Sequence, residues 1–179
     1  MGRIREASRA KLFVAIMHRP GFDAAPVLAQ LAGRYGAVEA RSDPHPFASA
    51  YYEAEMGPGL VKFFVSFGPS VPQERLSSIK RDTNALEEGG ADGRGRVCNL
   101  DPGLVTHYSV ILATTKGYAQ RVYLGDGIYA EPALLFRRGA PEFLPWTYPD
   151  YRTAEAQAFF GEVRRRLLDE VAAAGAQPD

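Results

Sequence analysis

The sequence predicts an α+β fold: a ferredoxin-like split β-α-β unit, extended by a β-meander and completed by a C-terminal helix. Three observations carry this. The first two thirds of the chain alternates strand and helix signals in the order β-α-β-β-α-β, residues 97 to 140 hold strand signals with no helix between them, and a helical period follows Thr153. A three-layer α/β fold with a doubly wound parallel sheet is the alternative, and it needs more strand-helix alternation than residues 97 to 140 provide.

At 179 residues, one domain with a real core is expected, spanning residues 11 to 174 between a polar leader (1 to 10) and a frayed tail (175 to 179). Hydrophobic residues make up 46% and charged residues 23%, which excludes global disorder. The 21 basic and 21 acidic residues cancel, so bulk charge does not favour a polyanion, and RNA binding would need a local basic patch. Cys98 is the lone cysteine, which leaves no internal disulfide or zinc knuckle. The first apolar run is too short to span a bilayer, and no small-residue cleavage site follows it, so a cytoplasmic protein off the membrane is expected.

Leu12 to Met17 is continuously apolar, the pattern of a strand covered on both faces. After Pro20-Gly21, Asp23 can cap a helix with Val27, Leu28, Leu31 and Tyr35 on one side, stopped by Gly36. Val38 to Ser42 is a short strand, and the prolines of DPHPF keep the next residues extended. Tyr51 to Met56 suits a helical turn before Gly57-Pro58-Gly59, with Tyr51, Tyr52, Glu53 and Glu55 as candidate rim residues.

Leu60 to Phe67 is a strand by aromatic and β-branched content, with Lys62 and Ser66 on the face opposite Val61, Phe63, Val65 and Phe67. Pro72 opens a helix to about Glu88, whose apolar stripe is Leu76, Ile79 and Leu86; Lys80, Asn84 and Glu87 form a neighbouring stripe. Gly89 to Arg96 reads as a surface loop. Val97 to Leu100 resumes a strand that Asp101-Pro102-Gly103 ends with a turn. Leu104 to Thr115 reads as one long or bent strand, and Arg121 to Phe136 as a hairpin about Gly125-Asp126-Gly127, with Pro132 marking an edge or a bulge. The proline- and aromatic-rich PEFLPWTYPDY leads to Thr153, the cap of a helix with Phe160, Val163, Leu167 and Val171 on one face.

Two hydroxyls and two cations near one turn, Thr114, Thr115, Lys116 and Arg121, suit a phosphate or carboxylate: lysine supplies a point charge and arginine a two-pronged fork. A solvated turn with surface ion pairs is the competing reading. Asp101 and Glu131 are the candidate catalytic carboxylates, acting as base or positioning a metal, although an aspartate before Pro-Gly is by default a turn residue. Lys62, Lys80 and Asn84 would supply the opposite wall. Tyr118, Tyr123, Tyr129, Trp146, Tyr148 and Tyr151 could stack on a ligand, with core packing the commoner use.

His18, His45 and His107 show no metal-binding spacing, and the chain has no GxSxG or GxxxxGK[ST] run. No cofactor or metal set is implied, and neither reaction nor oligomeric state is legible. The expected function is binding of an anionic small molecule or nucleotide, with enzymatic action on it left open. The alternative is a non-catalytic RNA- or protein-binding module.

The runs SDPHPF, YYEAEMGP, LVKFFVSF, IKRDTNALE, NLDPGLVT, LATTKGYAQRVYLGDGIYAE and PWTYPDYR span almost the whole chain. In this order they resemble a bacterial and archaeal family defined as domain of unknown function 4416. The resemblance implies no established activity. A GTP-binding label attaches to some members, but this chain has neither a phosphate loop nor an NKxD run. The resemblance also implies a histidine where this chain has Gln120, and a further acid and threonine around Ala48 to Ala50. An amide does not exchange protons near neutral pH, so acid-base chemistry is not expected of Gln120.

Overall fold

A computed structural model describes residue 4 and residues 6–93 and 95–175. Most of the tail and part of the polar leader lie outside these. The described residues hold nine strands and four α-helices: β1 (Ala10–His18), α1 (Ala25–Tyr35), β2 (Val38–Arg41), β3 (His45–Phe47), α2 (Ala50–Met56), β4 (Leu60–Val71), α3 (Leu76–Gly89), β5 (Cys98–Val105), β6 (Ser109–Thr114), β7 (Val122–Gly125), β8 (Ile128–Arg137), β9 (Ala140–Phe143) and α4 (Ala154–Ala173).

All strands join one sheet in the order β2-β4-β1-β5-β6-β8-β7, with β3 also on β4 and β9 also on β8. Every pair is antiparallel. The segment β2-β4-β1-β5, with α1 and α3 as its two crossovers, is the split β-α-β unit. Helices cover both faces, so the molecule has three layers, but the antiparallel ladder excludes a doubly wound parallel sheet.

Because successive side chains alternate across a strand, β1 feeds two cores. Leu12, Val14 and Ile16 pack with Phe63, Val65 and Phe67 of β4 beneath Leu31 and Tyr35 of α1 and Leu76 and Ile79 of α3. Phe13 and Ala15 pack with Phe64 beneath Phe159, Phe160 and Val163 of α4. Each such fully buried large apolar side chain is worth about 1.5–3 kcal/mol of burial. A third cluster, Met17, Leu60 and Met56, seats α2 at the end of β1. β1 starts within the expected leader, at Ala10, and its Lys11 is completely buried because the carboxylates of Glu39 and Glu170 and the Gly68 carbonyl surround its ammonium.

Capping follows the sequence where short-range chemistry decides it. Thr153 Oγ1 accepts from Ala156 N–H at 3.2 Å and opens α4; Asp23 stands one residue before the cap of α1 and accepts from Ala25 N–H at 2.9 Å. Pro132 marks a bulge, since β8 shifts register against β6 between Pro132 and Leu134.

Three local readings are corrected, and one strand is added. The expected helix from Pro72 begins as a 3-10 turn, Gln73–Arg75, with α3 proper starting at Leu76. Asp101-Pro102-Gly103 is no turn: β5 runs through it, pairing Asp101, Pro102 and Gly103 with Ala15, Val14 and Phe13. Leu104 to Thr115 is two strands, because Thr106 Oγ1 accepts from the backbone N–H of Tyr108 (3.1 Å) and Ser109 (3.0 Å) and closes a turn. Ala140–Phe143, to which the sequence reading assigns no element, pairs with the end of β8 after Arg138 and Gly139, both at positive φ (50° and 83°), turn the chain back.

Candidate functional site

The site begins with a gap in the sheet. β5 pairs with β6 only at Gly103, Leu104 and Val105; over Cys98 to Pro102 it has β1 on one side and α3 on the other. The backbone groups that would have met a strand there are taken by α3 side chains. Glu87 Oε1 accepts the Leu100 N–H at 2.7 Å, and Lys80 Nζ donates to the Leu100 carbonyl at 2.9 Å. Backbone groups two residues apart on a strand point to the same side, so Pro102 faces this open side, where a missing N–H leaves nothing unpaired.

Between the parted strands lies a cavity of about 510 Å³. Its lining includes Lys62 of β4, Lys80, Asn84 and Glu87 of α3, Asn99 and Asp101 of β5, Thr114 of β6, Thr115, Lys116 and Arg121 of the following loop, Tyr51 and Tyr52 of α2, and Tyr148, Asp150 and Tyr151 of the turn before α4. The expected residues Lys62, Lys80, Asn84, Asp101, Thr115, Lys116 and Arg121 thus surround one space. Glu131 stands behind it, 1% exposed, with its oxygens filled by Arg121 Nη2 (2.9 Å), Tyr148 Oη (2.9 Å) and Gln120 Nε2 (2.7 Å). The side chain where the resemblance implies histidine is therefore an amide donating to this carboxylate.

Four of the five cations in the lining are fastened to carboxylates. Lys62 Nζ meets Asp150 Oδ2 at 2.6 Å, Lys80 Nζ meets Asp101 Oδ1 at 2.9 Å, and Arg121 holds Glu131. Arg96 engages both oxygens of Glu55 at 2.7 Å and Glu87 Oε2 at 2.8 Å. The fifth, Lys116, is exposed, and its ammonium lies 3.9 Å from the centroid of the Tyr51 ring. Among the described residues no carboxylate pairs with it.

Burial pushes the Asp101 carboxyl up, but the Lys80 ammonium, helped by Lys62 and by the Asn99 amide that donates at 2.6 Å, outweighs it and holds the group below its ordinary value. Glu87 goes the other way: burial raises its carboxyl despite Lys80, the Leu100 N–H and Arg96. Burial, then the Glu131 carboxylate, pushes the Tyr148 phenol up to about 12. The site thus combines an ionised carboxylate, neutral phenols and one uncompensated ammonium. Among the described residues no group of three or more histidine, cysteine or acidic side chains is arranged to hold a metal ion, and no helix is long and apolar enough to cross a membrane.

Asn99, Arg96 and Asp150 were not expected in the site. Asn99 was findable, since it sits two residues before Asp101 on the same strand face. Arg96 was hidden at the end of a glycine-rich loop, and Asp150 joins only because Lys62, 88 residues earlier, reaches it.

Comparison with curated proteins and with solved structures gives no match. Residues 8–167 match the family described as Domain of unknown function (DUF4416), and over that nearly complete span the chain belongs to this family.

Proposed function

We propose that the cavity binds a small molecule carrying a phosphate or carboxylate, with Lys116 and Thr115 at the mouth taking the charged group. The observation that carries this reading is the contrast among the cations: Lys62, Lys80, Arg96 and Arg121 are neutralised by protein carboxylates, and Lys116 is not. A volume of about 510 Å³ is within the range of small-molecule sites. Asp101, ionised and bordering the cavity, is placed to accept a hydrogen bond or a proton from the ligand. Glu131 acts through Arg121 and Tyr148, which it orients.

A thermal-shift titration with inorganic phosphate, nucleotides, and phosphorylated and carboxylated metabolites tests this. A ligand at about a hundredfold excess over Kd stabilises by about 2.7 kcal/mol, a rise of several degrees. Lys116 is exposed, so Lys116→Ala should fold normally and weaken the hit at least tenfold. No stabilising compound, or a hit of unchanged affinity in Lys116→Ala, would overturn the proposal.

A further inference from the structure

Tyr151, a residue of the cavity lining, carries a buried hydroxyl that packing does not explain. Tyr151 is 1% exposed; its ring stacks on Phe160 (centroids 5.2 Å apart, planes at 26°) and meets Phe64 edge-on at 5.3 Å. Phenylalanine would make the same ring contacts. The Oη atom is buried with no hydrogen-bond partner among the described residues, although a buried hydroxyl left unpaired costs about 1–3 kcal/mol. Tyr151 lines the cavity, and the groups that bear on its phenol electrostatically, Asp150, Asp101, Tyr148 and Tyr52, are cavity residues. Its burial, and after that these groups, keep the phenol protonated, so it is a donor.

A second donor lies over the same ring. The Lys62 ammonium sits 5.3 Å from the Tyr151 ring centroid and 4.8 Å from that of Phe47, in a residue 8% exposed. An ammonium has three N–H groups, and among the described residues Asp150 is the partner of one. Because Asp150 already balances the charge of Lys62 and Asp101 lies nearby, a neutral oxygen acceptor suits the spot better than a second anion.

We infer that Tyr151 Oη and Lys62 Nζ form a subsite for a carbonyl oxygen, so that the ligand is an anionic carbonyl compound with its charged group at Lys116 and its carbonyl at this subsite. This rests on the proposed anion site and adds the class of ligand.

Two matched pairs of probes, differing in ketone against hydroxyl and in length, test it by calorimetry: dihydroxyacetone phosphate against glycerol 3-phosphate, and ribulose 5-phosphate against ribitol 5-phosphate. In the native protein the ketone of at least one pair should bind roughly tenfold tighter than its alcohol. Tyr151→Phe should weaken the ketone severalfold more than the alcohol, whose hydroxyl oxygen is the weaker acceptor, and so shrink that preference, and Lys116→Ala should weaken both members. In the free protein, Tyr151→Phe should keep or raise the melting temperature, since it removes an unpaired buried hydroxyl. Equal binding of ketone and alcohol in both pairs, a preference undiminished in Tyr151→Phe, or a lowered melting temperature in the free variant would sink the carbonyl subsite alone. Failure of all four probes, where another phosphate or carboxylate binds through Lys116, would remove the subsite and keep the anion site; failure of every anion in the thermal-shift titration would remove both.

Discussion

Replacing Glu87 by alanine tests the idea that α3 stands in for a strand beside β5. The Glu87 side chain is 4% exposed and accepts from the Leu100 N–H and from Arg96. Removing it leaves that N–H buried and unpaired, at about 1–3 kcal/mol, and opens a small void. Lys80 keeps Asp101 and the Leu100 carbonyl, and Arg96 keeps Glu55, so the cost stays below the top of the 3–5 kcal/mol range for orphaning a buried charge. The expected loss is about 3 kcal/mol. With an m-value of about 2 kcal/mol/M this lowers the urea midpoint by about 1.5 M. Glu87→Gln preserves an oxygen for Leu100 and should cost clearly less. Its relative penalty should also shrink as pH rises. The native carboxyl is raised by burial, so its contribution to stability declines as pH climbs from the ordinary carboxylate value through the raised one, and glutamine shows no such decline. An alanine variant within about 0.3 M of the native midpoint, or a glutamine variant as unstable as alanine, would refute the reasoning.

Two further predictions concern β5. A Cβ at Gly103 would fall inside contact distance of the Phe13 ring and the Ile111 carbonyl, so Gly103→Ala should cost about 3 kcal/mol or more; an unchanged urea midpoint would mean that the strands can move apart there. Asp101→Asn should show its cost near neutral pH and lose it in acid. The native carboxyl is held below its ordinary value, chiefly by Lys80 against the opposing effect of burial, so its stabilisation is complete above the unfolded value of about 4 and vanishes as pH falls through the folded one. Urea midpoints of the two proteins should converge as pH falls below the ordinary carboxylate value; a gap that stays constant would show that Asp101 does not titrate as described.

The parts of the fold legible in advance are those where burial repeats at short period. β1 and β4 announce themselves as apolar runs, α1 and α4 as stripes, and the bulge in β8 through Pro132. Asp101-Pro102-Gly103 misleads because turn preference is a matter of a few residues. Its extended path is set by Leu100 being held by Lys80 and Glu87, and by Phe13 needing the space that glycine leaves. The polar residues around the cavity were legible as residue types at strand ends. Their partners were not: Lys62 with Asp150 and Arg96 with Glu55 join residues far apart in the chain.

By itself, the sequence determined the α+β class, the order of the principal elements and a set of polar side chains too costly to bury without partners. Tertiary structure decided that β5 and β6 part beyond Gly103, that α3 fills the strand's place, and that Tyr151, in the lining of the resulting cavity, keeps a buried hydroxyl unpaired. The division has one physical cause. Propensity and periodicity act over neighbouring residues, whereas a gap between strands exists only where distant side chains take over the hydrogen bonds the sheet gives up.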